Sequence, residues 1–381
     1  MITDKPKIVI VGPGFPYRNG PSIYLSILCK QLSLNFNIEL VSYKMLYPAF
    51  LFPGKTQYHK DNNKAIFFPN TRLVNSLNPV SWIKTARYIR SLNPDLVAFD
   101  WWHPFFALCH AGIIRCLPKH LRNKVMFITE NVISHEANKV DKVLTKIALS
   151  NARCFLALSN NVQKSLEELF NKKIFMSELP LFNVYGNTEI PFKTGMMDKN
   201  NIELLFFGLV RRHKGLDLLL EAFGRLMPVH DYLRLKVVGE FYEDAGPYKA
   251  IVKKYHLEDK VEIINQYIPD EEVGKYFKEC TVVILPYRSA TQSAVLTVAY
   301  SYEKPVIVTD VGGLGAFVVD GETGVITEPT VQGITDGIKK FIRLKKEGIG
   351  FENNIRQYLK RNYKFEEVNK VFEDILGYIH T

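Results

Sequence analysis

A chain of 381 residues that is 47% hydrophobic and 23% charged has room for two or three globular domains with sizeable cores. Its five cysteines are scattered and include no CxxC pair, which argues against a disulfide framework or a cysteine-rich zinc site and fits a reducing compartment. The net charge of +10 is one-sided: residues 1–180 hold 23 Lys and Arg against 11 Asp and Glu, and the rest 26 against 28.

A basic first half suits an anionic partner, whether nucleic acid, an acidic membrane or a phosphorylated substrate; a merely solvated basic surface is the plain alternative. No nucleic-acid motif is present. Apolar and aromatic clusters at 45–52 (MLYPAFLF), 67–68 and 101–106 (WWHPFF) lie among the cations, and that mixture suits a membrane surface unless the rings are core. No apolar run approaches the ~18 residues of a spanning helix, and the start of the chain does not read as a secretory signal.

In chain order, strands are expected at 7–11, 36–41, 96–99, 125–128 and 154–158, with helices at 21–34, 82–92, 104–116, 139–149 and 161–170. Pro104 suits a first helical turn and Ser159 an N-cap. The polar segment 185–200, with Gly186, Pro191 and Gly195, reads as a linker. The alternation then restarts, with strands at 204–207, 233–238, 261–264, 281–285 and 305–308 and helices at 215–226, 248–255, 270–278 and 331–346. Phe365, Val368, Phe372, Ile375 and Ile379 recur at helical steps in the tail. Strands alternating with helices imply βαβ units, and so two α/β halves with a ligand in the cleft between them.

Four loops that follow strands carry the candidate chemistry. Gly12-Pro-Gly14 with Gly20 occupies the place of a dinucleotide fingerprint, but its glycine spacing is wrong for one. Residues 129–136 (TENVISHE) put Glu130 and His135 on one loop, and Asp100 and His103 hold a similar place after the strand before. Residues 208–215 (GLVRRHKG) crowd Arg211, Arg212 and Lys214 at a helix start, where cations oppose the helix dipole unless a bound anion neutralises them. Residues 286–324 contain the turn Ser289–Ser293, a helix start and the pair Gly312–Gly313, all suited to a diphosphate.

Together these stretches resemble the group 1 (glycosyltransferase family 4-like) retaining glycosyltransferases. The matches are FFGLVRRHKGLDLLLEAF at 206–223, VVGEFY at 237–242, PYRSATQSAVLTVAYSYEKPVIVTDVGG at 286–313 and GETG at 321–324, with GPGFPYRNG at 12–20 and TENVISHE at 129–136. The resemblance implies the α/β GT-B fold, two Rossmann-like doubly wound domains facing across a cleft. It assigns 1–185 to an acceptor- or membrane-facing domain, 186–363 to a nucleotide-sugar domain, and 364–381 to a helix packing back on the first. It implies transfer of a sugar, with retention and without a metal or other cofactor, from a nucleoside diphosphate sugar. Arg211 and Lys214 would hold the diphosphate, and Glu130 and His135 would join them as catalytic residues. Gly14, Gly208, Glu240, Ile268, Thr291, Gln292, Ser293, Gly312 and Gly313 would line the donor site.

Several positions depart from the family pattern. Its paired glutamates fall at Ala290 and Val298, a third at Ala316, its active-site histidine at Glu130, and its usual arginine at Leu209, with Arg211 as substitute. The expectation is a cytoplasmic hexosyltransferase, peripheral on the inner face of an anionic membrane, that extends a lipid-linked or surface polysaccharide and has no nucleic-acid partner. The alternatives are a catalytically silent glycan- or partner-binding subunit, motivated by the missing glutamates, and a nucleotide-sugar epimerase of the same fold.

Overall fold

A computed structural model of the chain describes residues 5–18, 20–48, 51, 56–59, 67–132, 139–181 and 202–381. It divides into two compact units, Met1–Pro180 with Lys364–Thr381, and Leu181–Tyr363.

The first unit runs β1 (Lys7–Val11), α1 (Gly20–Leu32), β2 (Asn37–Met45), β3 (Asn70–Asn75), α2 (Pro79–Leu92), β4 (Leu96–Trp101), α3 (Ala107–Cys116), α4 (Lys119–Arg122), β5 (Val125–Thr129), α5 (Lys139–Leu149), β6 (Cys154–Ala157), α6 (Asn160–Leu169) and β7 (Lys173–Met176). The strands form a parallel sheet in the order β3-β2-β1-β4-β5-β6-β7. Strands buried on both faces read as near-continuous apolar runs, as β4, β5 and β6 do. The edge strands β3 (NTRLVN) and β7 (KIFM) bury little, and their apolar stretches of two and three residues are too short for the apolar pattern to mark them.

Local signals place the helices. The Asn78 side chain accepts the Val80 N–H at 2.9 Å and Pro79 follows, so α2 starts three residues before the periodic pattern does. Ser159 Oγ accepts the Val162 N–H at 3.2 Å and caps α6. The aromatic cluster at 101–106 proves to be core: Trp101 and Phe106 are fully buried, packed with Tyr43, Phe127 and His110, although Phe67 is exposed.

The second unit runs β8 (Ile202–Phe207), α7 (Leu216–Leu226), β9 (Leu233–Val238), α8 (Gly246–Lys254), β10 (Val261–Ile264), α9 (Asp270–Glu279), β11 (Val282–Leu285), α10 (Ala294–Ser301), β12 (Val306–Thr309), β13 (Gly324–Thr327), α11 (Val331–Lys346) and α12 (Phe351–Asn362). Its parallel sheet has the order β10-β9-β8-β11-β12-β13. The expected linker at 185–200 lies outside the described residues.

The last helix, α13 (Val368–His380), belongs to the first unit. Phe372 is fully buried with its ring 6.5 Å from that of Phe36, and Tyr378 lies 6.0 Å from Phe175 with the Arg153 guanidinium 5.2 Å over its ring. Among the described residues no helix is long and apolar enough to cross a membrane.

Phe372→Ala removes a fully buried ring and is expected to cost about 3–5 kcal/mol. Chemical unfolding followed by tryptophan fluorescence should report the loss, since Trp82, Trp101 and Trp102 all lie in the first unit.

Candidate functional site

In an open parallel sheet, ligands bind outside the carboxyl ends of the strands where the strand order reverses. In the second sheet that point lies between β8 and β11. The loop after β8 runs Gly208–Gly215 into α7; the loop after β11 runs Pro286–Ser293 into α10.

The two loops are held in contact. Gly215 lies in the left-handed region (φ 65°), and a methyl group there would come within 2.0 Å of the Pro286 carbonyl oxygen. Arg288 binds the carboxylate of Asp217 with both Nη atoms at 2.6 Å, donates to the Arg212 carbonyl at 3.1 Å, and sends its backbone N–H to the His213 carbonyl at 2.7 Å. Burial works to raise the Asp217 carboxyl, and the Arg288 guanidinium outweighs it, so the net shift is downward.

Lys214 stands at the centre. Its Nζ lies 5.3 Å from the centroid of the Tyr287 ring and 3.3 Å from where a methyl group on Gly208 would sit. That same methyl position is 3.5 Å from Val295, in the first turn of α10, so the amine lies close to the start of that helix. Tyr287 Oη and Ser293 Oγ are 3.3 Å apart. Ser293 is the N-cap of α10, and its side chain makes no capping hydrogen bond. The loop after β12 closes the far side. Gly312 has φ 57°, a methyl group on it would fall 1.5 Å from the Ala290 carbonyl oxygen, and the Gly313 N–H donates to the Thr291 carbonyl at 3.1 Å. Gly208, Lys214, Thr291, Gln292, Ser293, Gly312 and Gly313 thus occupy one neighbourhood.

The Arg211 guanidinium lies 4.7 Å over the Tyr242 ring, in the loop after β9. That loop holds Glu240, which is buried and whose carbonyl accepts the Val210 N–H at 2.9 Å. Ile268 is buried farther along the same edge, after β10. Arg288, Asp217 and Tyr287 escape a motif reading because their role lies in pairing two loops some seventy residues apart.

In the first sheet the order reverses between β1 and β4. Gly12 and Gly14 follow β1, and the Gly14 N–H donates to Ser42 Oγ at 2.8 Å. A methyl group on Gly12 would sit 2.9 Å from Cβ of Asp100, so the glycine loop lies directly against that residue. Asp100 is fully buried, and among the described residues neither carboxylate oxygen has a hydrogen-bond partner; Glu130, at the end of the adjacent strand, has an enclosed Oε1 that likewise meets none among them. Burial pushes the Asp100 carboxyl well above its usual range, and the Glu130 charge adds to that rise. Burial likewise pushes Glu130 up to about 8. His103 is exposed, and its Nδ1 accepts the Phe105 N–H at 3.1 Å as the cap of a short 3-10 turn. His135 lies outside the described residues.

Residues 187–362 match the model of the family described as glycosyl transferases group 1. An uncharacterised glycosyltransferase of Methanocaldococcus jannaschii is 23% identical over 332 residues, 84% of each chain. A lipopolysaccharide core biosynthesis mannosyltransferase of Rhizobium leguminosarum is 24% identical over 180 residues, 45% of this chain and 50% of its own. The crystal structure of the Anabaena protein HepE in complex with UDP-glucose has the same fold, with a TM-score of 0.72 at 14% identity over 97% of this chain and 99% of that one. The group 1 glycosyl transferase match thus covers the second unit, and the chain has the GT-B fold of two Rossmann-like units.

Two outcomes follow for the site. Gly312→Ala must displace the Ala290 carbonyl, so it is expected to lower the thermal midpoint and to expose the 290–293 loop to proteolysis. Both buried carboxyls bind protons more tightly in the folded than in the unfolded chain, so stability falls as pH rises from the ordinary carboxylate range toward about 8. Glu130→Gln should shrink the loss of thermal midpoint between about pH 5 and about pH 8, by roughly a few degrees. An unchanged pH profile in scanning calorimetry would mean that Glu130 is ionised throughout.

Proposed function

We propose that this chain is a retaining hexosyltransferase that takes a sugar from a nucleoside diphosphate sugar and passes it to a glycan or lipid-linked acceptor of a surface polysaccharide, at the cytoplasmic face of a membrane. The observation that carries the reading is the meeting, at the switch point of the second sheet, of the Lys214 amine, the start of α10 and the Gly312–Gly313 turn.

Breaking the bond between sugar and diphosphate builds negative charge on the leaving phosphate, and fixed cations and N–H dipoles aimed at that charge lower the barrier. Lys214 supplies a point charge and Arg211 a fork. The first N–H groups of α10 have no side-chain cap to satisfy them and suit phosphate oxygens. Thr291, Gln292 and Ser293 offer neutral hydroxyl and amide groups to the donor sugar. Glu240 and the backbone near Ile268 take the nucleoside end. The positions of the family's paired glutamates hold Ala290 and Val298, both buried, so these neutral groups replace carboxylate contacts. On the first unit, Gly14, Glu130 and His135 would serve the acceptor and the reacting sugar. The lipopolysaccharide relative supports the acceptor class, and the UDP-glucose complex of HepE supports the donor class.

Lys214→Ala combined with Arg211→Ala is expected to lower kcat/KM by roughly 10²–10³ and to abolish the thermal shift given by uridine, guanosine or adenosine diphosphate sugars. Survival of both would disprove the diphosphate assignment. If the unmodified chain bound no nucleoside diphosphate in calorimetry, a silent subunit would be the better reading. Conversion of the nucleotide sugar without any acceptor would identify an epimerase.

A further inference from the structure

Three helices of the first unit, α2, α3 and α5, lie side by side on one face of its sheet. Their inner faces enter a single core through Ala86 and Ile89, Cys109 and Ile113, and Ala148 and Leu149. Their outer faces are unusual in two respects. Six aliphatic residues stand in solvent: Leu77 and Val80 (53% and 58% exposed), Ile83 (42%), Leu108 (58%), Val140 (63%) and Val143 (57%). The exposed charges among them are cationic: Lys84 and Arg87 on α2, Arg115 on α3, and Lys139, Lys142 and Lys146 on α5. The only acidic residue on the three helices is Asp141, which is partly buried.

Position gives this pattern a direction. In a parallel sheet a helix that follows a strand begins near the carboxyl edge. Leu77 and Val80 flank the start of α2, Ile83 follows one turn on, Leu108 is the second residue of α3, and Val140 and Val143 open α5. The apolar residues therefore cluster at the sheet edge that carries the Gly12 loop, Asp100 and Glu130. The cations on α2 and α5 continue from that rim along the helix flanks.

We infer that the α2–α3–α5 face docks on the surface of an anionic lipid bilayer, with the aliphatic rim entering the headgroup region and the flanking Lys and Arg residues meeting the lipid phosphates. Two features favour lipid over a protein. Cores of protein interfaces are rich in aromatic residues and poor in Lys, whereas this face exposes single aliphatic side chains and several lysines. Shallow apolar insertion combined with basic residues is the chemistry of interfacial membrane binding. Docking there would bring the carboxyl edge of the first sheet to the lipid interface, where the headgroup of a lipid-linked acceptor lies. That consequence rests on the transferase reading; the docking itself does not.

The test is co-sedimentation of the full chain with vesicles of phosphatidylglycerol and phosphatidylcholine in equal parts, beside vesicles of phosphatidylcholine alone, at low and high salt. Binding is expected only to the anionic vesicles, and is expected to weaken as salt screens the cations. Lys139→Gln with Lys142→Gln and Lys146→Gln should cut the partition coefficient by roughly fivefold per charge removed. Val80→Ser with Ile83→Ser should cut it at unchanged charge. Lys339→Gln with Lys345→Gln and Lys346→Gln, three cations lost from α11 of the second unit, should leave it unchanged. All of these side chains are exposed, so circular dichroism should confirm that each variant folds. No binding to anionic vesicles, or equal losses from the α5 and α11 triples, overturns the proposal. So does full binding by the Val80/Ile83 variant, which would reduce the face to a general polyanion-binding surface. Because the assay involves no sugar transfer, its failure and that of the transferase reading can be told apart.

Discussion

The bidentate ion pair between Arg288 and Asp217 joins the two loops from which the site of the second unit is made. A parallel sheet whose order reverses leaves a gap, because the crossovers on either side of the reversal run away from each other. Something must keep the flanking loops in register across it. Here Arg288 does so with its guanidinium and its backbone N–H, while Gly215 allows the Pro286 carbonyl to approach with no side chain between. Thr309 Oγ1 donates to the Tyr287 carbonyl at 2.6 Å and ties the next strand to the same loop. At about one-third side-chain exposure the ion pair itself contributes modest stability. Its value lies in geometry: it sets where Lys214, Tyr287 and the start of α10 stand relative to one another.

The switch points of the two sheets have opposite chemistry. The second places cations and backbone N–H groups at its edge and suits a polyanion. The first encloses two carboxyl groups that burial pushes toward the protonated state, one of which, Asp100, is pressed against a glycine loop. A buried acid near neutrality can donate or accept a proton as its surroundings change, which a surface carboxylate cannot do at the same pH. One fold, used twice in the chain, thus presents two differently charged edges, and the difference comes from the few residues that follow each strand.

Charge and hydrophobicity divide in another way across the first unit. The aromatic residues that stand out in its sequence are largely consumed by the core, where Tyr43, Trp101, Phe106, Phe127 and His110 pack ring on ring. The positive excess stays outside, since Lys and Arg are not buried without partners. What remains on the outer helices is a thin set of aliphatic residues among cations. Neither helix periodicity nor net charge identifies that set, because both are averages over buried and exposed positions.

By itself the sequence determined the βαβ alternation, both runs of central strands and the loops that follow them at the two switch points. Central parallel strands must be apolar on both faces, and helix starts need caps such as Ser159, so these features are written locally. The resemblance to the group 1 glycosyltransferases was legible for the same reason, in contiguous loop motifs such as 206–223 and 286–313, both inside the stretch that the family model matches. Only the tertiary structure decided the rest. The edge strands β3 and β7 exist because a neighbour offers them hydrogen bonds, not because their residues demand a strand. His103 became a turn cap, and Asp100 a buried neighbour of Glu130 whose charge it opposes, because β4 and β5 end side by side. Arg288 found Asp217 across more than seventy residues of chain. Burial and long-range pairing depend on what packs against a residue, and a residue's own sequence neighbours do not contain that information.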